Sequence, residues 1–295
     1  MFIGIDLGGT KILTALSDNK GRVIATVKMD TQAKLGVNKV VDNIIETVNI
    51  VLLKAGIPKS KISAIGIGAP GPIAGNSAIV SPPNLPGWKR VNLKKMLEKA
   101  LRKPVFVEND ANAAALAEYR FGSGRGTKNF IFLTVSTGIG GGIILNGKLF
   151  GGASGTAGEV GHMVIDPNGP KCGCGNRGCL EALAAGPAIA RMAGRKDALQ
   201  AELAARKGDK KALKAINDAG MYIGIGIANL NNLLNPELFA IGGGISNMKE
   251  LIFKPIRYWA KECSLTEPAK TLKIVPARLK TEAGVMGAIA VAMDR

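Results

Sequence analysis

Aromatic side chains are scarce: two Trp, three Tyr and eight Phe make up 4% of the 295 residues. No basic strand interleaved with aromatics offers a stacking surface for bases. There is a single histidine, His162, and only four cysteines, of which Cys172, Cys174 and Cys179 cluster while Cys263 stands alone. That count and spacing argue against a disulfide framework. The opening residues meet an acid at Asp6 without a basic stretch before it, so no secretory signal is expected. A reducing, cytoplasmic setting follows, with the clustered thiols read as metal ligands. No apolar run approaches the ~18 residues that a membrane span needs. Acidic residues are also few, 22 Asp and Glu against 39 Lys and Arg, for a net charge of +17. The basic residues are spread along segments such as 89–103 and 206–214, which read as solvated helix faces. Neither nucleic acid nor a membrane is therefore expected as a partner.

What remains is an ordinary globular balance, 46% hydrophobic and 21% charged, in a chain long enough for about two domains at ~100–200 residues each. Residues 2–5, 12–16 and 22–27 read as short strands, and 37–55 as an amphipathic helix stopped by Gly56 and Pro58. Strands at 62–68 and 104–107 flank a basic helix at 93–102. A helix follows Asp110, and then the opening pattern returns: strand 130–135, a Gly-rich turn, and strand 142–146. This weak internal repeat suggests two similar α/β units. Helices are expected at 187–207, 209–217 and 218–234, strands at 237–244 and 274–277, and a closing helix from Glu282 to Met293.

Three strands end in Gly-rich turns: Asp6-Leu7-Gly8-Gly9-Thr10-Lys11, Ser136-Thr137-Gly138-Ile139-Gly140 and Gly242-Gly243-Gly244-Ile245-Ser246. Glycines let backbone N–H groups wrap an anion, and the hydroxyls of Thr10, Thr137 and Ser246 can add donors. Lys11 supplies positive charge, and Asp6 is suited to Mg²⁺, directly or through water. Tight turns alone would explain one such element, whereas three on two similar units suggest a clamp on a nucleotide. His162 with Cys172, Cys174 and Cys179 forms a donor set suited to a closed, tetrahedral, structural Zn²⁺ site. Gly173, Gly175 and Gly178 are expected to let so short a loop fold round the ion. Asp110 follows a strand and opens a helix, a position suited equally to a helix cap and to a catalytic base.

Taken together, DLGGTK, VSTGIGGG, GEVGH, CGCGNRGCLE and FAIGGGIS resemble the ROK family of sugar kinases and repressors, within the actin-like ATPase superfamily. The resemblance covers nearly the whole chain. It implies an α/β, two-domain actin-like (ribonuclease H-like) fold with an interdomain cleft. The expected domains are a small one over 1–108, to which a C-terminal helix at 285–295 returns, and a large one over 109–284 carrying the zinc loop. It implies ATP and Mg²⁺ at Asp6, Gly8, Gly9, Thr10, Lys11, Thr137, Gly138, Gly243 and Gly244, and zinc on His162, Cys172, Cys174 and Cys179. Asp110 becomes the catalytic base for a hexose 6-hydroxyl, and Gly71, Asn84, Asn109, Asp110, Glu159, His162 and Glu181 the sugar-binding set. His162 would offer its second ring nitrogen to a sugar hydroxyl.

Glucose is the first choice of sugar, with N-acetylmannosamine, N-acetylglucosamine, mannose or fructose as alternatives, and polyphosphate or ADP as alternative phosphoryl donors. A homodimer or homotetramer is expected. A sugar-responsive repressor would carry a winged helix-turn-helix ahead of Asp6, where no helical pair stands. Because the Gly-rich turns lie elsewhere in sequence, loss of zinc is expected to weaken sugar binding sharply and nucleotide binding less.

Overall fold

Residues 1–74, 78–79, 82 and 84–294 are described by the computed structural model. The chain divides into two units, one of Met1–Arg125, Leu149–Ala157 and Thr281–Arg295, the other of Gly126–Lys148 and Gly158–Lys280. Among the described residues no helix is long and apolar enough to cross a membrane.

In the first unit, strands β1 (Phe2–Leu7), β2 (Lys11–Ser17), β3 (Val23–Asp30) and β4 (Ala64–Ala69) share a sheet with a later one, Val105–Asn109. The short strands β5 (Ile73–Ala74), β6 (Ala78–Ile79) and β7 (Val91–Asn92) form a separate small sheet, so Val105–Asn109 is β8. The main sheet runs β3-β2-β1-β4-β8. β1 and β2 are an antiparallel hairpin, whereas β4 and β8 run parallel to β1. Parallel neighbours need crossovers, which helices α1 (Val37–Ala55) and α2 (Leu93–Leu101) provide. α1 buries Val40, Val41, Ile44, Val48, Val51 and Leu52, one apolar face at helical spacing, and ends on Gly56 in the left-handed region.

α3 (Asp110–Phe121) follows β8 directly and packs against the closing helix, Ala283–Met293, which also lies on β1 and β4. These contacts place the boundary after residue 125 rather than after the expected 108, because α3 belongs with the sheet it leaves. The closing helix sits close. A Cβ on Gly4 would stand 2.7 Å from the backbone nitrogen of Ile289, one on Gly66 would stand 2.6 Å from that of Ala292, and one on Gly287 would stand 2.5 Å from the carbonyl oxygen of Ala113. The end of the expected helix at residue 295 lies outside the described residues.

The second unit repeats the plan. Strands β9 (Phe130–Val135), β10 (Ile139–Leu145), β11 (Lys148–Leu149), β12 (Leu238–Gly242) and β13 (Ile274–Pro276) are ordered β11-β10-β9-β12-β13. Again an antiparallel hairpin is extended by two parallel strands. Six helices follow in this unit: α4 (Leu180–Ala184), α5 (Gly186–Ala193), α6 (Ala198–Arg206), α7 (Lys210–Leu234), α8 (Glu250–Glu262) and α9 (Thr266–Thr271). The two helices expected over 209–217 and 218–234 are one, α7, and the helix expected over 187–207 is two. Gly220 and Gly224 do not break α7; they form its contact with α8. A Cβ on Gly220 would lie 2.6 Å from the Pro255 ring, and one on Gly224 would lie 2.7 Å from Trp259 Cβ.

Gly66→Ala should test how the closing helix is seated. Overpacking typically costs ~1–3 kcal/mol, so the midpoint of chemical unfolding should fall accordingly. An unchanged midpoint would contradict the close approach.

Candidate functional site

The carboxyl edge of the first sheet gathers chemistry-bearing residues, the place where open α/β sheets commonly bind ligands. Asp6 on β1 stands in register with Gly68 on β4, and Gly68 with Glu108 on β8. In the turn after β1, the Gly8 N–H donates to the Lys11 carbonyl at 3.0 Å. Thr31 holds the same turn from outside: its hydroxyl donates to the Gly8 carbonyl at 2.6 Å and its N–H to the Thr10 carbonyl at 2.9 Å. Thr10 and Lys11 are exposed. Asn84 lies on this turn, since a Cβ on Gly9 would come within 2.6 Å of the Asn84 carbonyl oxygen. The Asp6 carboxylate lies over the first turn of the closing helix, where a Cβ on Gly284 would be 2.5 Å from Oδ2. Burial pushes the Asp6 carboxyl above its ordinary value; the Lys11 charge pulls it down and the Asp110 charge pushes it up again.

The cap of α3 is supplied by Asn109. Its Oδ1 accepts from the N–H groups of Ala111 (2.9 Å) and Asn112 (3.3 Å). Its Nδ2 donates to the carbonyl of Gly71 at 3.1 Å, and Gly71 itself has φ +87°. Asp110 therefore stands inside the helix start and is exposed, its Oδ1 accepting from the Ala111 N–H at 2.8 Å. Beneath them, Glu108 Oε1 accepts from the Asn109 N–H at 2.9 Å and from Asn112 Nδ2 at 3.0 Å. Glu108 and Thr31 were not among the expected site residues. Glu108 directly precedes Asn109 and Asp110 in sequence and is open to notice; Thr31, far from its turn in sequence, leaves no signal.

In the second unit, the turn from Ser136 to Ile139 closes with a bond from the Ser136 N–H to the Gly138 carbonyl at 2.8 Å, and Thr137 is exposed. The third turn lies against the end of β9, where Gly243, at φ +82°, leaves no room for a side chain over the Val135 carbonyl. Gly243 and Gly244 are exposed, but the Ser246 hydroxyl donates to the Gly243 carbonyl at 2.8 Å and so serves the turn itself. Glu159 is exposed at the start of the short 3-10 turn Val160–His162. Glu181, on α4, accepts the Ile139 N–H on Oε2 at 2.9 Å.

The four expected metal ligands come together, with their donor atoms all within 4.8 Å of one another. Cys174 Sγ lies 3.6 Å from Cys179 Sγ, and Cys172 Sγ lies 3.8 Å from His162 Nδ1. A tetrahedron with metal–sulfur bonds of ~2.3 Å has edges of about 3.8 Å, so this donor set fits a tetrahedral metal. Burial pushes the Cys179 thiol up to about 12, with the neighbouring thiols of Cys174 and Cys172 adding to the shift. The backbone N–H of Asn176 pulls the Cys174 thiol down. A divalent cation among them would favour the thiolates and remove the conflict. The loop is held by pairing of Val164 with Cys179 and of Lys171 with Arg177. Gly175 and Gly178 have φ of +101° and +64°, whereas Gly173, expected to matter equally, faces open space.

The ROK family model matches residues 2–295. Glucokinase from Thermotoga maritima is 37% identical over 99% of this chain and 97% of that protein. The crystal structure of a ROK hexokinase from Thermus thermophilus superposes with a TM-score of 0.88 at 38% identity, covering 99% of this chain and 97% of that one. A ROK family glucokinase from Streptomyces griseus, in complex with glucose and AMPPNP, gives 0.81 at 34% identity, covering 100% and 99%.

About one equivalent of divalent metal per chain should bind at the cluster. Co²⁺ substitution should give the visible bands of tetrahedral thiolate coordination. Cys174→Ala should abolish them and Cys263→Ala should leave them intact; loss in the second variant or persistence in the first would contradict the assignment.

Proposed function

The chain belongs to the ROK family, and on that premise we propose that it is a glucokinase, transferring the γ-phosphoryl group of ATP to the 6-hydroxyl of glucose. The observation that carries the catalytic part is the cap of α3. A carboxylate at a helix start is ordinarily spoken for by the first amides. Here Asn109 Oδ1 takes the amides of Ala111 and Asn112, and Asp110, whose Oδ1 shares the Ala111 N–H, keeps an exposed carboxylate at the carboxyl edge of the sheet. Asp110 accepts the proton of the attacking hydroxyl as the phosphoryl group moves.

Asn84, Gly71, Asn109, Glu159, His162 and Glu181 bind the sugar, a polyol that suits paired acids and amides because each hydroxyl both donates and accepts. The turns at Gly8–Lys11, Thr137–Gly138 and Gly243–Gly244 receive the nucleotide. Mg²⁺ enters with ATP, and Asp6 holds it directly or through water; a cation there offsets the cost of two neighbouring carboxylates. The metal of the cysteine cluster is Zn²⁺, because three thiolates and an imidazole in a closed tetrahedron match its ligand chemistry. Its function is to orient: with Nδ1 of His162 turned to Cys172, Nε2 is left to meet a sugar hydroxyl. A reading as a sugar-responsive repressor would leave Asp110 and the Gly-rich turns without a use.

Glucose-dependent, Mg²⁺-dependent ADP release should be measurable, with mannose, fructose, N-acetylglucosamine and N-acetylmannosamine as comparison sugars. Asp110→Asn should retain glucose binding and lose roughly 10²–10⁴-fold in kcat, the usual contribution of a general base. A variant within a few-fold of the parent would place the base elsewhere, and no ADP release with any of these sugars would end the kinase reading.

A further inference from the structure

The turn at Ser136–Ile139 is gripped by the two segments that carry the metal ligands. On one side Gly161, the residue before His162, lies so close to the Ile139 carbonyl that no Cβ fits between them. On the other side Glu181, two residues after Cys179, accepts the Ile139 N–H on Oε2 at 2.9 Å. Five residues further on, the Gly186 N–H donates to the Ser136 carbonyl at 2.8 Å. Gly138 has no side chain, and the Glu181 carboxylate occupies the space that one would fill. The two gripping segments are themselves paired, Val164 with Cys179 and the Leu180 N–H with the Met163 carbonyl at 2.9 Å.

We infer that Glu181 is a positioning residue for the nucleotide, and that the metal cluster, by joining His162 to Cys179, fixes the Ser136–Ile139 turn and so sets nucleotide affinity as well as sugar affinity. Distance along the sequence argued that loss of the metal would weaken nucleotide binding less than sugar binding. Spatial placement argues against that, since both segments flanking the metal end on the backbone of one residue of that turn. The inference rests on the reading of this turn as part of the nucleotide site. A hydrogen bond to a carboxylate is strong enough to alter an affinity by about ten- to a hundredfold when the group it orients is a ligand contact.

The test is binding of Mg²⁺–AMPPNP by calorimetry, with sugar absent so that the sugar role of Glu181 does not enter. Three metal-loaded proteins of equal metal content are compared: the parent, Glu181→Ala and Glu181→Gln. Glu181→Ala should weaken AMPPNP by about tenfold or more. Glu181→Gln keeps an oxygen acceptor at the same reach and should stay close to the parent. Chelator-stripped parent protein should lose nucleotide affinity as Glu181→Ala does. An alanine variant within about twofold of the parent, or a glutamine variant as weak as the alanine one, overturns the inference. Parent protein that is metal-loaded but binds no AMPPNP at all would instead refute the nucleotide reading of the turn.

Discussion

Gly4 and Gly66 carry no side chains, and the backbone of the closing helix lies where those side chains would be. Much of the first unit depends on that approach. It brings the first turn of the helix under Asp6, and it lets Gly287 meet the backbone of α3 at Ala113. α3 in turn presents Asp110. A helix held off the sheet by one methyl would shift its own first turn away from Asp6 and α3, with Asp110, relative to the strands, because protein interiors have little slack to absorb such a shift. The arrangement also explains the raised carboxyl of Asp6: a seat between sheet and helix takes the group partly out of water, and Lys11 only partly compensates.

The two units solve the same problem with the same topology. In each, a hairpin closed by a glycine turn is followed by two parallel strands on one side, so the turn and the parallel strand ends share an edge. What differs is the support behind the turn. In the first unit a threonine hydroxyl and backbone amide brace it from the end of β3. In the second, a carboxylate and a glycine from the metal-bearing segments do so.

The sequence exposed the parts of this plan that rest on local chemistry. Alternation and helical spacing marked most strands and α1, and the recurrence of strand, glycine turn and strand marked the duplication. The cysteine spacing marked the cluster before any distance was known. Long-range choices were hidden. Nothing local marks Gly220 and Gly224 as contact positions, because only the presence of α8 gives them that role. Asn109 and Asp110 are adjacent and both able to cap, so the residues alone could not say which carboxyl or amide takes the amides of α3. The boundary at 125 follows from a helix that returns from the other end of the chain.

Asn109 has a consequence for the charge economy of the edge. Aspartate would cap α3 as well as asparagine does, but it would put three carboxylates in a row from 108 to 110 and could not donate to the Gly71 carbonyl. Like charges so close together would each make the others harder to ionise. A neutral amide at 109 therefore caps the helix without adding a third charge between Glu108 and Asp110.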